Sequence, residues 1–459
     1  MELRGRKVTV MGLGRFGGGL GAALFALDQG ARVTVTDLKT ADQLAESVAA
    51  LQGRPVTFRL GEHREEDFRT ADVVVVSPAV KKDDPLLAVA RQAGAVLTSE
   101  MNLFLERCPA PVVAVTGSAG KSTTASLLAL ALAARHQTHF GGNIGRSLLA
   151  ELPQIAPGHR VLLELSSFQL DSAAELSWSP HLAVVTNVAP NHLDHHGSME
   201  AYISAKQNIL RWQTSRDAAV LNADDAQTAS WARLTRGRAC FFSVIRRLGE
   251  GAWLEGSRCV ISLDGRREEA ALADALSLPG PHNAANFLAA ALAARLDGVP
   301  LADAARATRE FRGLPHRLAL VAEVGGVRYY NDSKATTPAS TRVALEAFDR
   351  PVMAIAGGYD KKIDLAPLAD ALAARARRVM LIGQTAGQIK ELLDQRGYAA
   401  AEMAGTLEAA MEKIALVAEP GDVVLLSPGH ASYGQFNNYE QRGDRFTELA
   451  RGQRVKGKD

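Results

Sequence analysis

The stretch VVAVTGSAGKST, residues 112–123, decides the fold class of this chain. Its first five residues form the apolar, β-branched run that is typical of a buried strand. The glycine-rich segment GSAGKST follows directly, and residues 125–134 after it form an apolar run of helical length. A strand, a glycine-rich loop and a helix in this order predict a nucleotide phosphate site in an α/β protein.

Each residue type in this loop has a use in phosphate binding. Backbone N–H groups cradle phosphate oxygens, Lys121 neutralises their charge, and the Ser122 hydroxyl can reach Mg²⁺. The spacing is GxxGK[ST], and the longer GxxxxGK[ST] pattern fails because Val115 stands where that pattern needs glycine. The alternative is a plain turn, which the combination of strand, lysine, hydroxyl pair and helix disfavours.

Short β-branched runs alternate with Ala- and Leu-rich helical stretches along almost the whole chain. This alternation is typical of parallel sheets with crossover helices, so we predict an α/β fold. The predicted strands cover residues 7–11, 32–36, 73–76, 112–115, 161–165, 182–186, 352–356, 379–382 and 423–426.

The length of 459 residues favours about three domains. Two linker-like stretches, CPAP at 108–111 and FRGLP at 311–315, suggest where they divide. We therefore expect domains over residues 1–108, 109–313 and 314–459. Residues 237–271, which are richer in charges and short strands, are expected to form a small, irregular β insertion in the middle domain.

Composition excludes several classes of protein. Lys plus Arg number 52 and Asp plus Glu 50, a balance that disfavours a nucleic-acid partner. Hydrophobic residues at 47% exclude whole-chain disorder. The three cysteines lack a CxxC spacing and suggest neither disulfides nor a thiolate zinc site, and no apolar run is long enough for membrane insertion. A cytoplasmic protein is expected.

A second glycine motif, GLGRFG at residues 12–17, also lies between a predicted strand and a predicted helix, and Asp37 follows twenty residues after Gly17. This is the dinucleotide fingerprint. It can hold NAD, FAD or a sugar nucleotide, or can serve only strand-to-helix packing. Because the chain carries a separate ATP-type loop, we favour a nucleotide-linked substrate here.

Further polar residues follow the next strands of the middle part. Glu164 ends an apolar strand, where a Mg²⁺ ligand is wanted, although it can also be a surface residue. The run HLDHH at 192–196 suggests a metal, with zinc as one option. On sequence alone Lys206 is a solvated lysine, and Asn283 with Asn286 is explained by helix capping.

In the last third, three polar motifs follow strand-like runs and suggest one shared cleft. They are NDSKAT at 331–336, GGYDKK at 357–362 and SPGHASY at 427–433.

Taken together, the motifs resemble the Mur ligases, the ATP-dependent amino-acid ligases of peptidoglycan precursor synthesis. The resemblance covers nearly the whole chain. It is carried by TGSAGKST (116–123), LELSSFQL (163–170), NHLD (191–194), HNAAN (282–286), LPHR (314–317), NDSKAT (331–336) and the tail 427–443 with its YEQRG ending. It implies a Rossmann-like domain for a UDP moiety, a central ATPase domain and a C-terminal Rossmann-like domain for an amino acid.

The resemblance also implies roles for individual residues. The UDP-linked substrate would be held by Gly14, Arg15, Phe16, Asp37, Ser77, Asn143, Ser166 and Gln169. ATP would be held by Gly117, Ser118, Ala119, Gly120, Lys121, Ser122, Thr123, Asn283, Asn286, Arg317 and Asp332. The metal ligands would be Ser122, Glu164, His192 and a carbamylated Lys206, and the glutamate would meet Thr336, Lys361, Ser432 and Tyr439. Lys121, His192, Lys206 and Lys334 would lie at the reaction centre.

The implied reaction adds D-glutamate to UDP-N-acetylmuramoyl-L-alanine through an acyl phosphate, with ATP as co-substrate and two Mg²⁺ ions, in a monomer. Ala119 stands where the best-known relatives carry Asn, Tyr439 stands where Phe is usual, and either Lys361 or Lys362 could meet the glutamate side chain. The alternatives are the alanine-adding Mur ligase, folylpolyglutamate synthase, a nicotinamide-dependent oxidoreductase and a regulatory nucleotide-binding module. The N-terminal glycine motif argues against the folate enzyme.

Overall fold

The computed structural model describes residues 1–14, 17–78, 80–144, 147–361 and 363–453, without the side chains of residues 193 and 194. Their contacts group the chain into two compact units. The first unit comprises Met1–Ala275 and Ala285–Arg309, and the second comprises Leu276–Ala284 and Glu310–Asp459. Within the described part of the chain, no helix is both long enough and apolar enough to cross a membrane.

The first unit begins with a parallel sheet of strand order β3-β2-β1-β4-β5. Its strands are β1 (Lys7–Met11), β2 (Arg32–Asp37), β3 (Val56–Leu60), β4 (Val73–Val76) and β5 (Val96–Thr98). Its helices are α1 (Gly18–Asp28), α2 (Ala45–Ala50), α3 (Glu65–Arg69), α4 (Pro85–Gln92) and α5 (Glu100–Leu105). The strand order reverses between β1 and β4, and ligands of such sheets bind beyond the strand ends at this point.

A second sheet in the same unit has the order β14-β13-β12-β11-β10-β9-β6-β8-β7. Its strands are β6 (Val112–Thr116), β7 (Thr138–Gly142), β8 (Arg160–Glu164), β9 (Leu182–Val185), β10 (Ala218–Asn222), β11 (Arg238–Ser243), β12 (Gly251–Glu255), β13 (Arg258–Leu263) and β14 (Arg266–Ala271). The accompanying helices are α6 (Lys121–Ala133), α7 (Ser167–Ala173), α8 (Leu193–His196), α9 (Met199–Arg211), α10 (Ala226–Ala229), α11 (Leu272–Ala275), α12 (Pro281–Leu296) and α13 (Leu301–Thr308). The first four residues of α12 are grouped with the second unit.

The centre of this second sheet positions the site. All residues of β6 and β9 are buried, as expected for parallel strands covered on both faces. Strand β6 pairs in parallel with β8 on one side and β9 on the other, with Val115 opposite Glu164 and Thr116 opposite Val185. The carboxyl ends of the three strands therefore meet at one edge.

The second unit contains a sheet of order β15-β16-β20-β17-β18-β19, which is parallel except for the β15–β16 hairpin. The strands are β15 (Ala319–Val324), β16 (Val327–Asn331), β17 (Val352–Ala356), β18 (Ala376–Ile382), β19 (Ala401–Gly405) and β20 (Val423–Leu426). The helices are α14 (Pro338–Glu346), α15 (Ala366–Arg375), α16 (Ala386–Gln395), α17 (Leu407–Val417) and α18 (Tyr439–Arg451).

The predicted α/β class is confirmed, and each predicted strand is present with ends shifted by a few residues at most. Residues 237–271 form β-strands, as predicted. The strands are regular rather than irregular, because β11 pairs in parallel with β10 and β12 to β14 extend the same sheet. The backbone N–H and C=O groups along the outer edge of β10 are thereby paired with β11. If residues 237–271 folded separately, those groups would need other hydrogen-bond partners.

Candidate functional site

The loop after β6 is shaped by two glycines. Gly117 has φ +151° and Gly120 has φ +79°, values that side chains disfavour. A Cβ on Gly117 would collide with the Thr186 hydroxyl, and a Cβ on Gly120 would collide with the amide oxygen of Asn286. The loop therefore needs glycine at both positions to meet its neighbours closely, before α6 begins at Lys121.

The segment that follows β9 holds this loop in place. The Ser118 N–H donates to the Asn187 carbonyl oxygen and the Ala119 N–H donates to Asn187 Oδ1, both at 2.9 Å. The Ser118 hydroxyl donates to the Ala189 carbonyl oxygen at 2.8 Å and shares a hydrogen bond of 2.9 Å with the Tyr202 hydroxyl. Ser118 and Ala119, predicted as phosphate contacts, thus stabilise the loop itself. The N–H groups of the first turn of α6 lack intrahelical partners, as at any helix start, and are directed at this site.

Two lysines meet at the start of the loop. Lys121 Nζ donates to the carbonyl oxygens of Gly117 at 2.9 Å and Ser118 at 3.1 Å. Lys206, on α9, is 1% exposed and its Nζ donates to the same Gly117 oxygen at 2.8 Å. Burial and the charge of Lys121 lower the pKa of Lys206 to about 7, against the opposing effect of Glu164. The prediction of a solvated Lys206 from sequence alone is therefore wrong.

Glu164 ends β8 and is 1% exposed. Its Oε1 accepts a hydrogen bond of 2.8 Å from Asn143 Nδ2, and its Oε2 is buried without a partner among the described residues. A buried carboxylate oxygen with no donor is costly unless a cation or another donor meets it. Mg²⁺ prefers oxygen ligands, so Glu164 and the buried Ser122 at the start of α6 fit a magnesium site.

The three histidines of the 192–196 run surround Phe168. Their ring centroids lie 5.2 Å (His192), 4.4 Å (His195) and 5.1 Å (His196) from that of Phe168. His196 Nε2 shares a hydrogen bond of 2.9 Å with the Ser167 hydroxyl, and burial, followed by the charge of His195, lowers its pKa. Within the described residues, no three His, Cys, Asp or Glu side chains form a group that could hold a metal.

A cavity lies at the switch point of the first sheet and reaches the second sheet of the same unit. Gly12, Gly14 and Ser77 line it from the first sheet, and Asn143 and Gln169 line it from the second. The structure thus brings together four of the eight residues predicted to bind the UDP portion, namely Gly14, Ser77, Asn143 and Gln169. Arg15 and Phe16 lie outside the described residues.

Asp37 and Ser166, also predicted to bind the UDP portion, do not line this cavity and form hydrogen bonds with backbone groups instead. The Asp37 carboxylate accepts hydrogen bonds from the Gly14 N–H at 3.2 Å and the Lys39 N–H at 2.9 Å. Ser166 is the N-cap of α7 and forms a capping box with Gln169. The S-x-x-Q spacing at 166–169 is a known sign of such a helix start.

Asn283 and Asn286 both lie in the first two turns of α12. Asn286 Oδ1 accepts a hydrogen bond of 3.2 Å from the Thr124 hydroxyl, so this side chain packs on the phosphate loop. Asn283 belongs to the second unit, where its Nδ2 donates to the Pro279 carbonyl oxygen at 2.7 Å.

Within the second unit, Lys334 Nζ lies 5.0 Å from the ring centroid of Tyr439. Burial raises the pKa of Tyr439 to about 12, with a further contribution from Glu440. Ser432 lines a cavity beyond the strand ends. Thr336 is half-buried, and Lys361 is exposed. Lys362 lies outside the described residues.

Asp332 is buried at the end of β16. Its Oδ1 accepts from the Leu318 N–H at 3.1 Å and its Oδ2 from the Ser427 hydroxyl at 2.8 Å. Burial raises its pKa to about 7 despite these donors and the nearby charge of Arg317. Arg317 itself is exposed on a tight turn that pairs Leu314 with Arg317.

Sequence reasoning missed Asn187 and Tyr202, which hold the phosphate loop. Asn187 lies two residues after the last residue of β9, at the strand ends where polar residues gather. Its position in the sequence could therefore have identified it as a site residue. Tyr202 lies inside the amphipathic helix α9 and looks like an ordinary core residue in the sequence.

Sequence profiles of three Mur ligase domains match this chain in order. The MurD-like N-terminal domain matches residues 6–99, the middle domain matches residues 115–294, and the glutamate ligase domain matches residues 316–430. Two curated relatives are both named UDP-N-acetylmuramoylalanine--D-glutamate ligase. The one from Roseiflexus sp. (strain RS-1) is 41% identical over 98% of this chain and 99% of its own length, and the one from Acidobacterium capsulatum is 41% identical over 98% and 97%.

Solved structures share the fold. UDP-N-acetylmuramate-alanine ligase MurC from Thermotoga maritima is 21% identical, with a TM-score of 0.63 over 97% of this chain and 99% of its own. MurF from Acinetobacter baumannii is 16% identical, with a TM-score of 0.61 over 96% and 94%. The ordered domains, the full-length relatives and the phosphate loop with its lysines lead to one conclusion: this chain belongs to the Mur ligase family.

Proposed function

We propose that this protein is the ATP-dependent ligase that adds D-glutamate to UDP-N-acetylmuramoyl-L-alanine. The relatives that carry this name align with nearly the whole chain at 41% identity. The observation that carries the proposal is the hydrogen bond between Asn143 and Glu164. Asn143 lines the glycine-loop cavity, and Glu164 ends the strand beside the phosphate loop. The same bond therefore joins the proposed binding site of the nucleotide-linked substrate to the proposed site of ATP.

The proposed reaction has two steps. The alanyl carboxylate of the nucleotide substrate attacks the γ-phosphorus of ATP, forming an acyl phosphate and releasing ADP. The amine of glutamate then attacks the acyl carbon, loses a proton, and phosphate leaves as the amide forms. Phosphoryl transfer depends mainly on positioning and charge stabilisation, which Lys121 and the first turn of α6 supply.

Mur ligases use ATP and Mg²⁺. Ser122, Glu164 and His192 would hold magnesium, which neutralises phosphate charge when bound. Two ions are proposed, with Lys206 as the carbamate that orders the second. The lowered pKa of Lys206 supports this, because only a neutral amine can attack CO₂ to give the carbamate and one released proton. The negative carbamate would also offset the charge of Lys121.

Thr336, Lys361, Ser432 and Tyr439 are proposed to bind the glutamate, with Lys334 near the reacting groups. The Lys334 ammonium over the Tyr439 ring supports a cationic position beside the predicted pocket. The UDP portion is assigned to Gly14, Arg15, Phe16, Asp37, Ser77, Asn143, Ser166 and Gln169. The remaining ATP contacts are assigned to Asn283, Asn286, Arg317 and Asp332. We propose that the three domains divide between residues 108 and 109 and between residues 313 and 314.

The test is phosphate release from ATP by the purified full-length chain. We expect release only when UDP-N-acetylmuramoyl-L-alanine and D-glutamate are both present. UDP-N-acetylmuramate with L-alanine is the control for the alanine-adding ligase, and NADH binding is the control for an oxidoreductase. Release with L-alanine, or release that needs neither acceptor, contradicts the proposal.

A further inference from the structure

Glu100, the first residue of α5, places a carboxyl group in the glycine-loop cavity. It lines this cavity together with Gly18 and Gly19 of α1, and of the described lining residues it is the one with an acidic or basic side chain. Its Oε1 accepts a hydrogen bond of 2.5 Å from the Ser147 hydroxyl. Its Oε2 has no hydrogen-bond partner among the described residues and stays accessible. This second oxygen is therefore available to a ligand in the cavity.

The Ser147 hydroxyl is oriented toward Glu100 and lies against α1. Its oxygen accepts a hydrogen bond of 3.3 Å from the Leu149 N–H, so its hydrogen is left to donate to Glu100. Gly21, in the first turn of α1, permits this approach, because a Cβ there would lie 2.5 Å from Ser147 Cβ and 2.6 Å from its Oγ. Ser147 thus lies directly on the first turn of α1, and the Glu100 carboxyl lies one hydrogen bond beyond it.

The same turn of α1 is the expected position of a diphosphate. The glycine motif at residues 12–17 leads into α1, and such motifs place the pyrophosphate of a bound nucleotide at the N-terminus of the following helix. The diphosphate of a UDP-linked ligand is anionic. A carboxylate in the same cavity repels it, whereas a protonated carboxyl group can donate a hydrogen bond to a phosphate oxygen.

The described surroundings of Glu100 supply no positive charge that would keep it ionised. Helix α5 packs against α1, α7 and the helical turn at Leu149–Gln154. The charged residues of these elements pair elsewhere: Asp28 with Arg54, Asp171 with Lys82 and Glu151 with His139. Burial raises the pKa of Glu100, and the hydrogen bond from Ser147 opposes this only in part. The carboxyl is therefore inclined to hold a proton before any ligand binds.

We propose that Glu100 takes up a proton from solvent when the diphosphate of the nucleotide substrate binds, and then donates a hydrogen bond from Oε2 to a phosphate oxygen. The inference rests on the proposed function only in naming the ligand. The proton stays on Glu100 while the ligand is bound and returns to solvent on release, so no covalent bond of the ligand changes. Because the empty site loses this proton as pH rises, affinity falls with rising pH, by up to about tenfold per pH unit.

The first test measures proton uptake by calorimetry on the full-length chain. The ligand is UDP-N-acetylmuramoyl-L-alanine, whose phosphates and carboxyl group stay ionised near neutral pH. Titration at about pH 7 in two buffers of different ionisation enthalpy gives the number of protons taken up with the ligand. We expect uptake in the wild-type chain and less in Glu100→Gln, whose amide donates a hydrogen bond without titrating. Lys206→Ala should keep the uptake, which separates Glu100 from the other group that titrates near pH 7.

The second test follows the Kd of the same ligand with pH. Between about pH 6 and pH 8, the Kd of the wild-type chain should rise at least about threefold more than that of Glu100→Gln. Glu100→Ala should bind more weakly than Glu100→Gln at both pH values, because it has no donor. Ser147→Ala should move the rise to higher pH, since it removes a hydrogen bond to the charged carboxylate. Glu106→Gln is the control, because Glu106 follows the same helix and pairs with Arg107.

The outcomes separate this inference from the proposed function. A wild-type chain that binds the ligand without taking up a proton overturns the role of Glu100, whether or not the variants fold. Equal uptake in Glu100→Gln also overturns it, because another group then takes the proton. A chain that takes up the proton but releases no phosphate with D-glutamate contradicts the proposed function alone. A chain that does not bind the ligand contradicts both.

Discussion

Lys206 Nζ and Lys121 Nζ donate hydrogen bonds to the same acceptor, the carbonyl oxygen of Gly117, at 2.8 and 2.9 Å. Lys206 is buried, and the two ammonium groups on one oxygen also repel each other. Both effects favour the neutral amine and lower the pKa of Lys206 to about 7. The phosphate loop thus holds one fixed cation beside one lysine that loses its proton near neutral pH.

The first prediction concerns carbamylation of Lys206. In ¹³C-bicarbonate, the carbamate carbon should give an NMR signal that grows as pH rises through about 7, because only the deprotonated amine reacts. Lys206→Ala should lose this signal and the activity, and added short carboxylates should restore part of the activity. A signal that persists in Lys206→Ala belongs to another lysine, and a fully active variant removes the role.

The second prediction concerns Lys121. Lys121→Ala should lower kcat for phosphate release by at least about 10²-fold, because it removes the loop's fixed positive charge. It should also raise the pKa of Lys206, shifting the carbamate signal to higher pH, since a like charge that disfavoured protonation is gone. Lys390→Ala is the control, because Lys390 pairs with Asp394 on the exposed face of α16. Near-normal kcat in Lys121→Ala would refute the phosphate-loop role.

The third prediction separates backbone strain from steric contact in the loop. Gly120 and Gly53 have φ of +79° and +80°, but a Cβ on Gly120 meets Asn286 whereas a Cβ on Gly53 meets nothing within 4 Å. Each Ala variant should lose about 1 kcal/mol of unfolding free energy through strain. Gly120→Ala should additionally raise KM for ATP severalfold. Equal KM values in the two variants would show that Asn286 does not restrict the loop.

The fold and the phosphate loop were predictable from the sequence because they rest on local patterns. The β-branched run of β6, two glycines and Lys121 specify strand, loop and helix within twelve residues. The same patterns indicate a surface position for Lys206, because its burial depends on the packing of α9 against the loop. The resemblance to the Mur ligases, and not the hydrophobic periodicity of the helix, indicates that Lys206 is a site residue.

Long-range pairing explains the other gaps. The charged, short runs of β12 to β14 predict an irregular β insertion, since they do not reveal that these strands continue the sheet from β11. Arg442 resembles any helical arginine in the sequence, and only the folded chain reveals that it is buried, with hydrogen bonds to neutral oxygens of Ser333 and His430. The roles of the predicted site residues in binding and catalysis stay predictions until the activity of their variants is measured.

The fourth prediction concerns the pH dependence of stability. The pKa of Asp332 is raised to about 7 by burial, so the folded state holds this proton between about pH 4 and 7 while the unfolded state releases it. Folding stability from this group therefore falls as pH rises through that window. Asp332→Asn removes the titration, so the pH dependence of the unfolding free energy should be flatter from pH 4 to 7. Denaturant unfolding at several pH values measures this, and an unchanged slope contradicts it.

The fifth prediction concerns the bond between Asn143 and Glu164. Asn143→Ala leaves both oxygens of the buried Glu164 without a described donor, a cost of about 1–3 kcal/mol that falls on the charged carboxylate. The free energy of unfolding of the variant, measured with denaturant, should therefore fall by about 1–3 kcal/mol. Because Asn143 also lines the glycine-loop cavity, KM for the nucleotide substrate should rise as well.

Two further variants make this prediction specific. Asn143→Asp introduces a second carboxylate beside Glu164, so like-charge repulsion should lower the free energy of unfolding further than Asn143→Ala does. Gln52→Ala, which changes an exposed amide just after α2, should leave both the free energy of unfolding and KM unchanged. If Asn143→Ala raises KM for the nucleotide substrate while the free energy of unfolding stays the same, Asn143 only binds substrate and the proposed link between the two sites fails. A loss of unfolding free energy with unchanged KM would instead confine Asn143 to positioning Glu164.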